Sequence, residues 1–288
     1  MEVPSNKISD LKAYYKRQLA DFYEERESNE LLFVLFESLL GLKKSDVILN
    51  PQLRVSESEL LVIHFAVKDL KNYKPIQYIT GRTDFYDLTF NLNSNVLIPR
   101  PETEEMVDII IKNLREKPVK TILDIGTGSG CIAIVLKKYF PRASVTAIEK
   151  YQSAIQVAKE NAVSHGVQIK FRLQDFLQKV QWDKLGCFDL IVSNPPYVRE
   201  FEKVAIQKNV MDYEPSSAIF VKDDDPLVFY KAIRDFAGDY LNENGSVFCE
   251  INQNLGNETM KVFENLHYRN IDVRKDLSGN DRFLILER

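Results

Sequence analysis

Asn194-Pro195-Pro196-Tyr197 follows the apolar run Phe188 to Ser193 and gathers an amide, two prolines and an aromatic ring in four residues. That set suits the activation of a planar nitrogen. A nitrogen whose lone pair is delocalised attacks an electrophile only when fixed acceptors hold its two protons and restrain its rotation. Asn194 supplies one acceptor through its side-chain oxygen, and the Pro195 carbonyl supplies another. The prolines stiffen the loop that carries both. Tyr197 can wall the pocket with a flat face. A turn that merely ends a strand is the better account of an isolated Asn-Pro pair; the full tetrapeptide and a second motif upstream favour the chemical reading.

The second motif is Asp124-Ile125-Gly126-Thr127-Gly128-Ser129-Gly130, between the apolar run Thr121-Ile122-Leu123 and a helix-like stretch from Cys131 to Tyr139. Glycines at 126, 128 and 130 permit positive φ and close approach of a ligand to the backbone, and the helix start behind them offers free N–H groups. Dinucleotide sites favour G-x-G-x-x-G, in which the turn cradles a pyrophosphate. The D-x-G-x-G-x-G pattern here suits S-adenosyl-L-methionine, which has no phosphate and whose ammonium Asp124 can help orient. Glu149 closes the next strand, Ser144 to Ile148, where a carboxylate can accept from both ribose hydroxyls. Ile169 to Leu173 reads as a third strand, after which Asp175 can meet an adenine amine and Phe176 can flank the ring or fill core.

Together these residues resemble the S-adenosylmethionine-dependent methyltransferases, and a longer series narrows the resemblance. Tyr78-Ile79-Thr80-Gly81, Leu97-Ile98-Pro99-Arg100-Pro101-Glu102-Thr103-Glu104, the glycine loop, the Asn194 tetrapeptide, Tyr213-Glu214-Pro215 and Ser278-Gly279-Asn280-Asp281-Arg282 occur in the order seen in release factor glutamine methyltransferases. The likeness covers roughly residues 75 to 288. It implies methylation of the glutamine side-chain amide in the Gly-Gly-Gln loop of class I peptide chain release factors, with S-adenosyl-L-homocysteine as product. It also implies that Asn194, Pro195, Pro196 and Tyr197 bind the glutamine and that Leu97 lines its pocket. Gly126-Thr127-Gly128-Ser129-Gly130, Glu149 and Phe176 would hold the cofactor, with Asp124, Asp175 and Asn194 beside it. Glu149 stands where Asp is more frequent in that family, Asn280 where a basic residue is frequent, and Glu250-Ile251-Asn252-Gln253 follows the pattern loosely.

The implied mechanism is direct in-line methyl transfer, with catalysis by orientation and dipoles; no strong base is visible near the tetrapeptide. A DNA or RNA methyltransferase acting on a flipped exocyclic amine poses the same geometric problem. With 38 basic and 42 acidic residues the chain carries a net charge of −4, so no global field draws nucleic acid and none is expected as partner. A nicotinamide dehydrogenase or non-catalytic nucleotide-binding module is a third reading, and the glycine spacing argues against the dehydrogenase.

Such a site needs an α/β frame. The chain has 288 residues, 44% hydrophobic, enough for two domains. Residues 1–74 read as a small helical bundle that grips protein substrate, 75–101 as a β-hairpin linker, and 102–288 as a Rossmann-like catalytic domain. Asn29 to Leu42 is apolar on so many sides that it must be the central helix of the bundle, and Ser56-Glu57-Ser58-Glu59 is a capping-box start for the helix through His64 to Lys71. Asp84 to Leu92 alternates as a strand should, and Asn93-Ser94-Asn95 turns it into Val96-Leu97-Ile98. Pro99-Arg100-Pro101 leads into a helix from Glu102 to about Arg115; substrate contact and tying down the linker are both open to Arg100. Residues 199–224 lack a period and read as a lid, with Asp223-Asp224-Asp225 as a solvated helix start. Helix Pro226 to Leu241, strand Ser246 to Ile251, helix Leu255 to Leu266 and strands near Ile271 and Phe283 complete an alternating plan. Cys131, Cys187 and Cys249 sit in apolar settings and read as reduced thiols. His64, His165 and His267 have no metal-ligand spacing, so no metal is expected. The polar start, Met1 to Asp10, and the lack of a run near the ~18 apolar residues of a membrane span point to a cytoplasmic protein with no membrane partner.

Overall fold

A computed structural model describes residues 3, 5–264 and 268–288. It contains two compact units: Met1–Gly81 with Gln207–Tyr213, and Arg82–Ile206 with Glu214–Arg288. The C-terminal end of the expected helix at Leu266, and His267, lie outside the described residues.

The first unit holds α1 (Ile8–Leu19), α2 (Glu25–Leu40), α3 (Lys44–Leu49), α4 (Glu57–Lys71), α5 (Ile76–Thr80) and, from farther along the chain, α9 (Lys208–Tyr213). Ser28, Leu32, Phe33, Leu35 and Phe36 form the buried side of α2 while Val34 is exposed, so the helix is not apolar all round; it packs on α1, α3, α4 and α5. α4 begins with the expected reciprocal cap: Ser56 Oγ accepts from Glu59 N (3.3 Å) and Ser56 N donates to Glu59 Oε2 (2.7 Å). His64 is half-buried on α4. The α9 segment is tied in by Tyr213 Oη, which donates to the Asn72 carbonyl (3.0 Å).

The second unit opens with a hairpin, β1 (Arg82–Phe85) and β2 (Leu88–Asn91), followed by α6 (Pro101–Leu114). Then come β3 (Thr121–Ile125), α7 (Cys131–Tyr139), β4 (Ser144–Glu149), α8 (Gln152–Ser164), β5 (Lys170–Leu173) and β6 (Phe188–Ser193). After the short pair β7 (Val198–Arg199) and β8 (Phe220–Val221), α10 (Val228–Tyr240), β9 (Leu241–Glu250), α11 (Gly256–Phe263), β10 (Asn270–Lys275) and β11 (Asp281–Glu287) complete it. The main sheet runs β10-β11-β9-β6-β3-β4-β5. Its strands are parallel from β5 to β9, and β11 and β10 are antiparallel additions. Neighbouring residues of each strand serve opposite cores, as pleating requires: Ile122, Val192 and Ile285 lie with α6 and α7, while Leu123, Ile191 and Leu284 lie with α10 and α11. Both faces are covered, which explains the near-continuous apolar runs of β3 and β6. Among the described residues no helix is long and apolar enough to cross a membrane.

Several expectations change. Asp84 to Leu92 is two strands, not one, because Tyr86 and Asp87 take φ of 51° and 59° and form a two-residue turn. A continuous strand would send Phe85 and Phe90 to opposite faces. The turn folds both into the core, with ring centroids 6.1 Å apart and edge-to-face. Neither turn residue is Gly or Asn, so the usual signal is missing; Tyr86 is held instead by its N–H on Glu104 Oε1 (3.0 Å). Val96 to Ile98 is not a strand. β9 starts earlier than expected because Asn242 to Gly245 bulge between its pairings with Phe188 and Leu190. Residues 199–224 contain 3₁₀ turns at Glu200–Ala205 and Ser216–Ala218 besides β8 and α9, each too short to show a period. Cys187 is exposed, not apolar in setting.

Relieving the strained turn gives the first prediction. Asp87→Gly, at a positive-φ position, stabilises the chain by about 0.5 kcal/mol, read as a higher urea midpoint.

Candidate functional site

Strand register brings the two sequence motifs together. Ile125 at the end of β3 pairs with Ile148 on β4 and Ser193 on β6, so Gly126, Glu149 and Asn194 leave the sheet side by side. The chain runs from β3 outward to β4 and β5 on one side and returns to β6 on the other. This is the switch point at which open α/β sheets bind ligands beyond their carboxyl ends. A cavity of about 570 Å³ lies there, lined by the glycine loop, Glu149, Phe176, Leu97, Asn194 and the Pro215–Val221 segment, among others.

In the glycine loop, Gly126 and Gly128 take φ of 74° and 53°, and a Cβ on either would meet nothing within 4 Å. These glycines are required by conformation, and the space over them is open. Gly130, at φ 83°, has a second reason besides conformation: its Cβ would come within 3.1 Å of Ala158 Cβ and 3.2 Å of Ile134 Cδ1, so it permits α8 to pack on α7. Thr127, Gly128 and Ser129 line the cavity, whereas Gly130 and Asp124 lie behind the lining. Asp124 is fully buried and accepts from Thr127 Oγ1 (2.6 Å) on Oδ2, while Oδ1 has no partner. Asn161, also fully buried, donates from Nδ2 to the carbonyls of Ser129 (2.9 Å) and Asn91 (3.0 Å) and accepts from Asn91 N (2.8 Å), stapling the loop to the hairpin.

Glu149 accepts from Gly128 N on Oε2 (3.1 Å) and from Lys150 N and Tyr151 N on Oε1 (2.7 and 3.1 Å). Its carboxylate is therefore fixed by three backbone donors and keeps lone pairs for a ligand's hydroxyls. Asp175 accepts from Leu177 N (3.1 Å) and pairs with Lys150 Nζ (3.0 Å). Phe176 both lines the cavity and fills core, stacked on Trp182 at 5.3 Å. Beside it Gln174, 7% exposed, lines the cavity with Nε2 lacking a partner.

At the tetrapeptide, Asn194, Pro195 and Pro196 line the cavity. Asn194 Nδ2 donates to Thr103 Oγ1 (3.0 Å), and Thr103 Oγ1 donates to Glu250 Oε2 (2.7 Å). Tyr197 lies behind the lining, packed on the α10–α11 core, with its hydroxyl donating to Glu250 Oε1 (2.7 Å). Burial pushes the Tyr197 hydroxyl well above the ordinary phenol range, and the neighbouring Glu250 adds to this. Burial likewise raises Glu250, opposed by its bonds from Thr103 and Tyr197 and by the Arg282 charge. Arg282 is itself held by Asp276 (3.1 Å).

Leu97 and Arg100 both line the cavity. Arg100 also ties down the linker, since its guanidinium bonds Glu214 Oε1 (2.6 Å) while Glu214 Oε2 accepts from Ile98 N (3.2 Å). Glu214 thereby anchors the Pro215–Val221 segment that closes one side.

Comparison with known proteins finds two family models along the chain. The PrmC N-terminal domain family model matches residues 10–81, and the methyltransferase small domain model matches residues 101–213. The release factor glutamine methyltransferase of Flavobacterium psychrophilum is 45% identical over 280 residues, spanning 96% of this chain and 98% of its own. This chain belongs to the release factor glutamine methyltransferase family. The namesake enzyme of Bacteroides thetaiotaomicron is 38% identical over 282 residues, spanning 98% of this chain and 100% of its own. A methyltransferase from Pyrococcus furiosus shares the fold, with a TM-score of 0.51 at 19% identity over 81% of this chain and 98% of that one.

For a release factor glutamine methyltransferase, the sequence reading overlooked Thr103, Glu250, Asn161 and Gln174 as site-building residues. Glu250 lies in a loosely matching segment and Thr103 inside a longer motif, and nothing local ties either to Asn194, 91 residues from Thr103.

Burial raises Asp124 to about 7, with Glu149 adding to the rise and Thr127 opposing it. Between the ordinary carboxylate range and that value the folded chain keeps a proton that the unfolded chain releases. Stability therefore falls as pH rises from about 4 to 7 and levels off above, by on the order of 4 kcal/mol at most. Asp124→Asn flattens this slope, measured by denaturant midpoints of both proteins at pH 5 and pH 7.5.

Proposed function

We propose that this enzyme transfers a methyl group from S-adenosyl-L-methionine to the side-chain amide nitrogen of the glutamine in the Gly-Gly-Gln loop of class I peptide chain release factors. The observation that carries the reading is one cavity lined by an open glycine cradle, a backbone-held Glu149 and the Asn194 amide together. Membership of the family supports the choice of substrate, and the reading puts the reaction in the cytoplasm, where its three unpaired thiols remain reduced.

The residues present fit the cofactor. Gly126 to Ser129 leave room for its amino-acid portion, Glu149 keeps acceptors for ribose hydroxyls, and Phe176 offers an apolar face to adenine, with Asp175 beside it. Asp124 acts from behind the loop, through Thr127. When bound, S-adenosyl-L-methionine supplies an electrophilic methyl group on a sulfonium, leaving as the neutral thioether S-adenosyl-L-homocysteine.

The protein's work is on the nitrogen. Asn194 Oδ1 accepts one N–H of the glutamine amide and the Pro195 carbonyl accepts the other, so the nitrogen's face is presented to the methyl and cannot rotate away. Pro195 and Pro196 have no N–H, which leaves the loop rich in acceptors and free of competing donors. Tyr197 braces the loop through Glu250. Leu97 lines the apolar side of the substrate channel, and Arg100 holds the segment that closes it. Methylation makes the remaining N–H protons acidic, and one leaves to water without a dedicated base. Catalysis is positional and electrostatic.

Incubation of an unmodified class I release factor with this enzyme and S-adenosyl-L-methionine should add one methyl to the Gly-Gly-Gln glutamine, read by mass spectrometry. Asn194→Ala should slow single turnover by about 10²- to 10³-fold while leaving cofactor affinity within a few-fold. Glu149→Ala should weaken cofactor binding by about 10- to 100-fold, read by calorimetry. Absence of the methyl gain with cofactor binding intact would move the substrate assignment to nucleic-acid amines or another protein.

A further inference from the structure

An amide side chain is nearly symmetric in shape, so packing alone does not decide whether Asn194 turns its oxygen or its NH₂ toward the cavity. The difference is decisive for the chemistry. An oxygen holds a substrate N–H, whereas an NH₂ group would oppose a second NH₂ group with no acceptor between them. We propose that Glu250, acting through Thr103, breaks this symmetry and fixes Asn194 with its oxygen toward the substrate, making Thr103 and Glu250 positioning residues for methyl transfer. The proposal rests on the reading of Asn194 as the substrate acceptor.

The argument is a count of protons. Glu250 is 1% exposed, and as a carboxylate it only accepts. Its Oε2 takes the Thr103 hydroxyl proton at 2.7 Å, and its Oε1 takes that of Tyr197 at 2.7 Å. A hydroxyl has a single proton. With that proton committed to Glu250, Thr103 has only lone pairs to offer Asn194, and it receives Nδ2 at 3.0 Å. A flipped amide would set Oδ1 against those lone pairs with no proton between them. Thr103 is 3% exposed and sits in the first turn of α6, where its branched Cβ limits rotation. Burial pushes the Glu250 carboxyl up, and the bonds from Thr103 and Tyr197 and the charge of Arg282, which is held by Asp276 and bonds the Ile251 carbonyl (3.4 Å), oppose that push. One buried carboxylate thus orients Asn194 at the first position of the tetrapeptide and Tyr197 at the last.

The experiment uses Thr103→Val, which keeps the shape and removes the hydroxyl, and Thr103→Ser, which keeps the hydroxyl. Thr103→Val should lower kcat on the release factor by about 10- to 100-fold, with cofactor Kd within twofold, and Thr103→Ser should recover most of the loss. In an Asn194→Ala background the valine should cost nothing further, because the group it orients is gone. A general packing defect would add its loss there. The side-chain NH₂ resonances of Asn194, assigned by their loss in Asn194→Ala, should move in Thr103→Val and stay in place in Thr103→Ser. If Thr103→Val does not fold, the near-isosteric Glu250→Gln replaces it, since one amide cannot accept through two oxygens from both hydroxyls. It should lower kcat and move the Asn194 resonances. Wild-type kcat in Thr103→Val, a fully additive loss with Asn194→Ala, or unmoved resonances would overturn the relay. A wild-type enzyme that leaves the release factor unmodified, while the resonances move as stated, would instead overturn the substrate reading and leave the relay standing.

Discussion

Three parallel strands end level with one another, and everything else in the site hangs on that register. Ile125 faces Ile148 on one side and Ser193 on the other, so whatever follows each strand emerges within reach of the next. A one-residue slip would turn every side chain of a strand to the opposite face, and the two apolar cores forbid it, because Leu123 and Ile191 belong to one core and Ile122 and Val192 to the other. Burial of those side chains therefore fixes the distance between the glycine loop and Asn194. The loop residues themselves are free to be chosen for chemistry.

Carboxylates then do most of the local positioning, each by a different kind of donor. Glu149 collects backbone N–H groups, Glu250 collects two side-chain hydroxyls, and Glu214 joins a guanidinium to a backbone N–H. Asp124 supports the loop through a single hydroxyl and stays partly unsatisfied. A fully partnered buried carboxylate is a rigid anchor, while one with an orphaned oxygen is a site of stored cost. Burial raises both groups, Asp124 to about 7, and in each the hydrogen bonds it accepts oppose the rise.

The sequence made legible whatever was contiguous. The glycine turn, the strand before it, the acid closing β4 and the tetrapeptide are local patterns, and the alternation of strands and helices gave the α/β plan. Two kinds of feature stayed hidden. Turns whose residues lack the usual chemistry, such as Tyr86-Asp87, are held by tertiary bonds that no local window contains. Partners across long separations, such as Thr103 with Glu250 147 residues away, are specified only once the sheet has closed. Tyr197 shows the limit within a motif: its ring was expected to wall the cavity, yet its hydroxyl finds Glu250 and carries the ring behind the lining.

On the relay proposed above, that hidden layer is what lets a planar nitrogen be handled without a base. Holding an NH₂ group needs acceptors of fixed orientation, and an asparagine alone offers an acceptor and a donor with equal ease. Orientation must come from a group that cannot donate. A buried carboxyl group that accepts through both oxygens is such a group, but it meets Asn194 through a hydroxyl because a direct contact would itself take the amide protons and leave no second tie to the loop. The intervening Thr103 lets one carboxylate serve both Asn194 and Tyr197. Its burial also keeps water from competing for either hydroxyl, so the orientation is set before substrate arrives, which is what catalysis by preorganised dipoles requires.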